Sequence, residues 1–170
     1  MNITHKTIWI TGASSGIGEA LAIACANKGA KLILSARNED KLNALKARLI
    51  NTEQHIVFPL DLSDPENIAA HVQTIIDNYA IDILINNGGV AQRGTARETK
   101  LSVQRQVMEV NYFGTIALTQ CVIPKMLAAK KGMIVTVSSV AGKVGGQSMS
   151  GYSASKHAIL GYMDCLRAEE

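Results

Sequence analysis

The 170-residue chain has no run of basic residues, no apolar stretch of membrane-spanning length and no cysteine pairing pattern. Its 17 Lys and Arg are spread along the chain against 14 Asp and Glu, for a net charge of +3. Nucleic acid is therefore a poor candidate partner, whereas a phosphorylated ligand stays compatible. A bilayer span needs about 20 apolar residues in a row, and their absence argues against a membrane partner. The apolar stretch that follows Met1 to Lys6 is broken by Thr11-Gly12, so the amino terminus does not read as a secretory signal. Cys25, Cys121 and Cys165 are odd in number and far apart, each in a helical apolar pattern. This predicts buried thiols in a reducing compartment and a cytoplasmic protein. His5, His55, His71 and His157 show no ligand spacing with one another or with the cysteines, so no metal site is expected. Aromatic residues are scarce at 4%, and repeats, linkers and low-complexity segments are absent.

What the chain does contain is 47% apolar and 18% charged residues, the mixture of a globular interior under a polar surface. Its length suits one domain over residues 1–170. Short β-branched apolar runs at Lys6–Thr11, Lys31–Ser35, His55–Leu60, Ile81–Ile85 and Met133–Val137 read as strands covered on both faces. Amphipathic stretches at Gly16–Lys28, Glu39–Ile50, Pro65–Asn78, Thr99–Ala129 and Ser150–Glu170 read as helices. Asp64-Pro65 supplies an N-cap and a first-turn proline, Gly29 a stop, and Pro124 should kink or break the last turn of the long fourth helix. Alternating strands and helices predict an α/β fold, a doubly wound parallel sheet of order 3-2-1-4-5. In such a sheet the loops leaving the carboxyl edges of the strands meet along one crevice.

Three of those loops carry chemistry. Thr11-Gly12-Ala13-Ser14-Ser15-Gly16-Ile17-Gly18 joins the first strand to the first helix. Gly12 permits a tight turn, Gly16 a close approach of pyrophosphate and Gly18 close packing of helix on strand, while the helix N-terminus offers free N–H donors. An ordinary glycine-rich turn is the competing reading. Tyr152 and Lys156 stand four residues apart, on one face of a helix. A phenol is a poor acid–base catalyst at neutral pH, and a neighbouring ammonium favours the phenolate and brings it toward useful values. Ser139, at the end of the fifth strand, could hold a carbonyl oxygen beside the phenol; otherwise it is a turn residue. After the second strand, where an acidic side chain would accept from a free ribose 2′-hydroxyl, Ala36-Arg37 stands instead. Arg37 offers a cationic fork to a 2′-phosphate, which favours NADP(H) over NAD(H); otherwise it is a solvated arginine at a helix start.

Taken together, the glycine loop with its spacing, Ser139, and Tyr152 through Lys156 resemble the short-chain dehydrogenase/reductase family, over residues 6–170. Asn86-Asn87-Gly88-Gly89, close to the family's Asn-Asn-Ala-Gly, with Gln92-Arg93 and Tyr152 through His157, resembles the branch of dehydrogenase/reductase member 7 and related carbonyl or steroid reductases. The resemblance implies a Rossmann-like fold with catalytic Asn111, Ser139, Tyr152 and Lys156. It implies cofactor contacts from Gly12, Ser14, Ser15, Gly16, Ile17, Gly18, Arg37, Asp61, Leu62, Asn87, Gly88, Tyr152 and Lys156. In it Asp61 faces the adenine, although it could equally cap a turn, and Asn111 holds a water linking Lys156 to solvent. The implied activity is interconversion of a carbonyl and a secondary alcohol by hydride transfer with NADP(H), in a homo-oligomer (dimer or tetramer). The competing reading is a catalytically incomplete dinucleotide-binding or scaffold fragment of the same fold. The resemblance also implies further βα segments and substrate loops beyond Glu170. A polypeptide ending there is expected to expose its fifth strand as a sheet edge, to self-associate, to bind the adenosine half weakly and to turn over negligibly.

Overall fold

The structure, a computed structural model, describes residues 2–170. Five parallel strands make one sheet in the order β3-β2-β1-β4-β5. They are β1 (Thr7–Thr11), β2 (Lys31–Ser35), β3 (Ile56–Val57), β4 (Ile83–Asn86) and β5 (Met133–Thr136), with helices α1 (Gly16–Asn27), α2 (Glu39–Lys46), α3 (Pro65–Asn78), α4 (Leu101–Met108), α5 (Gly114–Ala128) and α6 (Ser150–Glu169) between and after them. The period-2 alternation of strand side chains divides the apolar runs between two cores. Ile8, Ile10, Leu32, Leu34, Ile83 and Ile85 face one side with Ala22, Leu42 and Leu45. Trp9, Ile33 and Leu84 face the other with Ile68, Val72, Leu118 and Val122. Each such fully buried side chain contributes about 1.5–3 kcal/mol, which is why the central strands show no polar face. The indole N–H of Trp9 donates to Ser35 Oγ at 2.9 Å, so its one polar atom is satisfied inside the second core.

The third strand is shorter than His55–Leu60. Phe58 and Leu60 still donate to the Leu34 and Ala36 carbonyls at 2.9 and 3.1 Å, but regular pairing stops at Val57, and Pro59 between them falls where its missing N–H would face the open edge of the sheet. The second helix ends at Lys46, not Ile50, and tightens into turns before Asn51, which adopts a left-handed conformation at φ 53°. Pro65 opens α3 as expected, but the Asp64 carboxylate accepts from the Asn67 amide at 2.8 and 3.0 Å and not from a backbone N–H. Gly29 ends α1 at φ 77°, its N–H donating to Ala26 O.

The long helix expected over Thr99–Ala129 begins at Leu101 and contains a π-turn, Glu109–Phe113, that joins α4 to α5. Pro124 does not break it. The residue lies on the exposed side of α5, as does Gln120, whose carbonyl loses its helical donor to the proline. The cysteines depart from expectation as well: Cys25 is buried, Cys121 half-buried and Cys165 exposed, because Cys165 falls on the outer face of α6. Strand β5 lies at the sheet edge with Met133 and Val135 exposed, so it is covered on one side only. Among the described residues no helix is long and apolar enough to cross a membrane, and no cluster of His, Cys, Asp or Glu could hold a metal ion.

Candidate functional site

The loops after β1 and β4 are locked together at the carboxyl edge of the sheet. Thr11 Oγ accepts from the Asn87 and Gly88 amides at 3.0 and 2.9 Å, and the Asn87 side chain donates back to Thr11 O at 3.0 Å. Gly12 takes a left-handed φ of 64°, and a Cβ there would lie 2.8 Å from Gly88 Cα. A Cβ on Gly18 would collide with the Gly12 carbonyl oxygen and lie 2.6 Å from Asn87 Nδ2. Gly16 differs: nothing lies within 4 Å of the place its Cβ would occupy. The first turn of α1 has no side-chain cap, since Ser15 occupies the N-cap position without such a bond. Free N–H donors, the positive end of the helix and open space above Gly16 together suit a diphosphate.

A crevice of about 730 Å³ runs from this loop across the sheet. Gly12, Ser14, Ser15 and Ile17 line it on the β1 side, Arg37 with Lys41 after β2, Asp61 and Leu62 after β3, and Asn87 to Val90 after β4. Gly16 and Gly18 shape the loop without lining the crevice. Arg37 is exposed, and Lys41 reaches the same wall from the first turn of α2, whose N-cap Asn38 accepts from Lys41 N at 2.9 Å. The Asp61 carboxylate accepts from the amide and hydroxyl of Ser63 at 2.9 and 2.8 Å, so it orders the turn after β3 from inside the crevice wall.

The acid–base pair lies past the β4 end of the crevice. Lys156 Nζ sits 5.9 Å from the centre of the Tyr152 ring, as two side chains one helical turn apart on α6 should. The lysine is 6% exposed and donates to the Val137 carbonyl at 2.9 Å, and burial pushes its ammonium below the ordinary lysine value. The crevice touches this pair through Gly89: a Cβ there would lie 3.8 Å from Lys156 Nζ and 3.1 Å from Asn111 Oδ1. Asn111 is buried inside the π-turn. Its Oδ1 accepts from Val90 N at 2.7 Å, and its Nδ2 donates to Val90 O at 2.9 Å and Ser155 Oγ at 3.0 Å. Ser139 is half-buried at the N-cap of a short 3₁₀ turn, Val140–Gly142, its Oγ accepting from Ala141 N at 3.1 Å.

The structure thus brings the glycine loop, Arg37, Asp61, Leu62, Asn87 and Gly88 to one crevice, and places Asn111, Tyr152 and Lys156 together beside its end. Sequence reasoning missed Thr11, which ties the two loops, and Lys41, whose signal was its spacing of four residues from Arg37 at a helix start. It also missed Ser155, a small hydroxyl with no pattern of its own.

A family model described as short chain dehydrogenase matches residues 6–170. A dehydrogenase/reductase SDR family protein 7-like of Anopheles gambiae is 46% identical over 175 residues, 99% of this chain and 55% of that protein. The human dehydrogenase/reductase SDR family member 7 is 42% identical over 173 residues, 98% of this chain and 51% of its own. The chain therefore spans about half the length of the curated relatives it matches. Among solved structures, a putative NAD(P)-dependent gluconate 5-dehydrogenase from Beutenbergia cavernae with bound NADP superposes with a TM-score of 0.94 at 31% identity, over 99% of this chain and 68% of that one. A short-chain dehydrogenase/reductase from Burkholderia phymatum in complex with NAD gives 0.92 at 29% identity, over 100% and 62%. With the parallel 3-2-1-4-5 sheet and its loops in this arrangement, the chain belongs to the short-chain dehydrogenase/reductase family of oxidoreductases, alongside relatives of the member 7 branch.

Proposed function

We propose that this protein interconverts a carbonyl and a secondary alcohol, with NADP(H) as the hydride carrier. The observation that carries the proposal is Lys156, a buried ammonium without an acidic partner among the described residues, held over the ring of Tyr152 where Gly89 closes the crevice. An isolated buried charge is costly, so its retention beside a phenol fits catalysis better than stability. The residues fit a dinucleotide: the Gly12–Gly18 loop and the start of α1 would hold the diphosphate, Asp61 and Leu62 the adenine side, Arg37 and Lys41 a 2′-phosphate, and Asn87 and Gly88 the nicotinamide side. When bound, the nicotinamide supplies or accepts the hydride. The chain's own part is proton handling and orientation. Tyr152 Oη donates the proton to the carbonyl oxygen in reduction and takes it back in oxidation, and Ser139 Oγ orients that oxygen. Lys156 supplies the cation beside the phenol, and Asn111 holds the Val90 loop against α6 and maintains a water path to Lys156. Free cysteines fit a reducing, cytoplasmic setting, and exposed Leu101, Val103 and Phe113 fit a homo-oligomer.

The test is oxidation of NADPH by a panel of ketones and aldehydes, made on the full-length protein and comparing it with its Tyr152→Phe variant. Loss of turnover in the variant with cofactor affinity held within a few-fold is the expected result, because the ring stays and only the proton donor goes. Turnover retained by Tyr152→Phe would remove Tyr152 from its role.

A further inference from the structure

The helix that presents Tyr152 has no cap of its own. Met149 occupies the N-cap position of α6 and makes no side-chain bond to the first turn, so the leading N–H groups need partners from elsewhere. One comes from Gln92, 59 residues away on the loop after β4: its Oε1 accepts from Gly151 N at 3.2 Å. The rest of that amide is committed too, Nε2 donating to Thr99 Oγ at 3.0 Å and Gly94 O at 3.2 Å, and the side chain is 5% exposed. This set of partners fixes the amide orientation, because only the oxygen can meet an N–H and only the nitrogen a carbonyl. The same strap is reinforced next to it. Gly94 pairs with Met149 in a parallel bridge, Gly94 N donates to Ser148 O at 3.0 Å, and Gln104 of α4 donates to Ser150 Oγ at 3.0 Å. A side chain at Gly151 would collide with Gln104 Oε1, so both glutamines close on the backbone immediately before Tyr152.

The loop that Gln92 belongs to begins at Gly88-Gly89 in the crevice wall and is gripped at Val90 by Asn111, which also reaches Ser155 on α6. We propose that Gln92 is a positioning residue for proton transfer: as the cap of α6 delivered from the β4 loop, it sets Tyr152 relative to the crevice. The proposal rests on the carbonyl-reductase reading above for its catalytic consequence, but the capping itself does not. Nothing in the chemistry needs Gln92 to touch substrate or cofactor. Its effect should fall on kcat and leave cofactor affinity in place, since a shift of the order of 1 Å in a reacting group can cost about 100-fold in rate.

The experiment compares Gln92→Met, which keeps the volume and loses every bond, with Gln92→Glu at a pH where the buried carboxyl is protonated, so that one oxygen accepts from Gly151 N and the O–H replaces an amide donor toward Gly94 O or Thr99 Oγ. Amide hydrogen exchange at Gly151, resolved by NMR on the cofactor-free chain, should accelerate about 5- to 10-fold in Gln92→Met, the worth of one net hydrogen bond, and stay near the original rate in Gln92→Glu. In NADPH-dependent reduction by the full-length protein, Gln92→Met should lose about 10- to 100-fold in kcat with the KM for NADPH within about twofold, and Gln92→Glu should recover most of that loss. Unchanged exchange at Gly151, equal losses in the two variants, or a rise in KM in place of a fall in kcat would overturn the role given to Gln92. Absence of carbonyl reduction in the unaltered full-length protein would strike the functional reading instead, and the exchange rates would still decide the cap.

Discussion

Replacing Arg37 by alanine isolates the basis of cofactor choice. Arg37 stands on the crevice wall after β2, exposed and in no ion pair among the described residues, so its guanidinium is free to meet a phosphate. A hydrogen bond to a charged group is worth about 1.5–3 kcal/mol, and the exposure of this side chain puts the expected value at the lower end because solvent and salt screen it. A loss of about 1.5 kcal/mol corresponds to roughly tenfold weaker NADPH binding at moderate ionic strength. NADH, which has only a hydroxyl at that place, should lose less than about twofold. Lys41 reaches the same wall and remains in the variant, so Arg37→Ala with Lys41→Ala should add a further few-fold loss for NADPH alone. Raising the salt toward 1 M, where the screening length falls to about 3 Å, should narrow the gap between the two cofactors. Titration followed by the fluorescence of the reduced nicotinamide, with energy transfer from Trp9 as a second readout, measures all of these affinities. Equal losses for NADPH and NADH, or no loss for either, would refute the assignment of Arg37 to the phosphate.

Three other outcomes are expected. Burial holds Lys156 below the ordinary lysine value of 10.5, so between the lowered value and 10.5 the unfolded chain binds more protons than the folded one and stability rises with pH. Lys156→Met lacks that slope, and urea unfolding should show its stability relative to the unaltered chain to be greatest near pH 7 and to decline as pH approaches 10.5; parallel pH profiles would contradict this. Gly18→Ala should lose about 1–3 kcal/mol of stability together with cofactor binding, because its Cβ meets the Gly12 carbonyl, whereas Gly16→Ala should cost only about 1–2 kcal/mol of backbone strain at φ 58°, as read by thermal unfolding. A thiol reagent should modify Cys165 first and Cys25 and Cys121 much more slowly, since burial pushes both of their thiols up; uniform rates in the folded chain would contradict the burial.

The sheet was legible because its central strands are apolar on both faces, so Thr7–Thr11 and Lys31–Ser35 stand out without any knowledge of their neighbours. Strand β3 was overextended because the apolar run His55–Leu60 continues through Pro59, and only the pairing with Ile33 and Leu34 decides where a strand ends. The π-turn was invisible, since one extra residue in a helical turn leaves the apolar spacing of Thr99–Ala129 almost unchanged. Among the site residues, those with unusual backbone or chemistry announced themselves: Gly12 and Gly18 by spacing, Tyr152 and Lys156 by an otherwise purposeless pairing. Thr11, Ser155 and the capping oxygen of Gln92 did not, because a threonine, a serine or a glutamine gains its role from partners as far as 77 residues away in the chain.

The π-turn has a rotational consequence. Successive α-helical residues advance by about 100°, so one additional residue in a turn swings everything after it by about that angle relative to everything before. From Leu101 to Ala128 the backbone runs on as one rod, yet its two halves are out of phase: α4 packs on α6, and α5, with Leu118, Val122 and Met126 on its inner stripe, packs on α3. Asn111 sits at the dislocation, in the one place where a single rod can look inward toward the Val90 loop while serving two separate helix partners. Removing one residue there would bring the halves back into phase and turn the stripe on α5 away from α3, so the geometry of the site and the packing of the opposite layer are set by the same fraction of a turn.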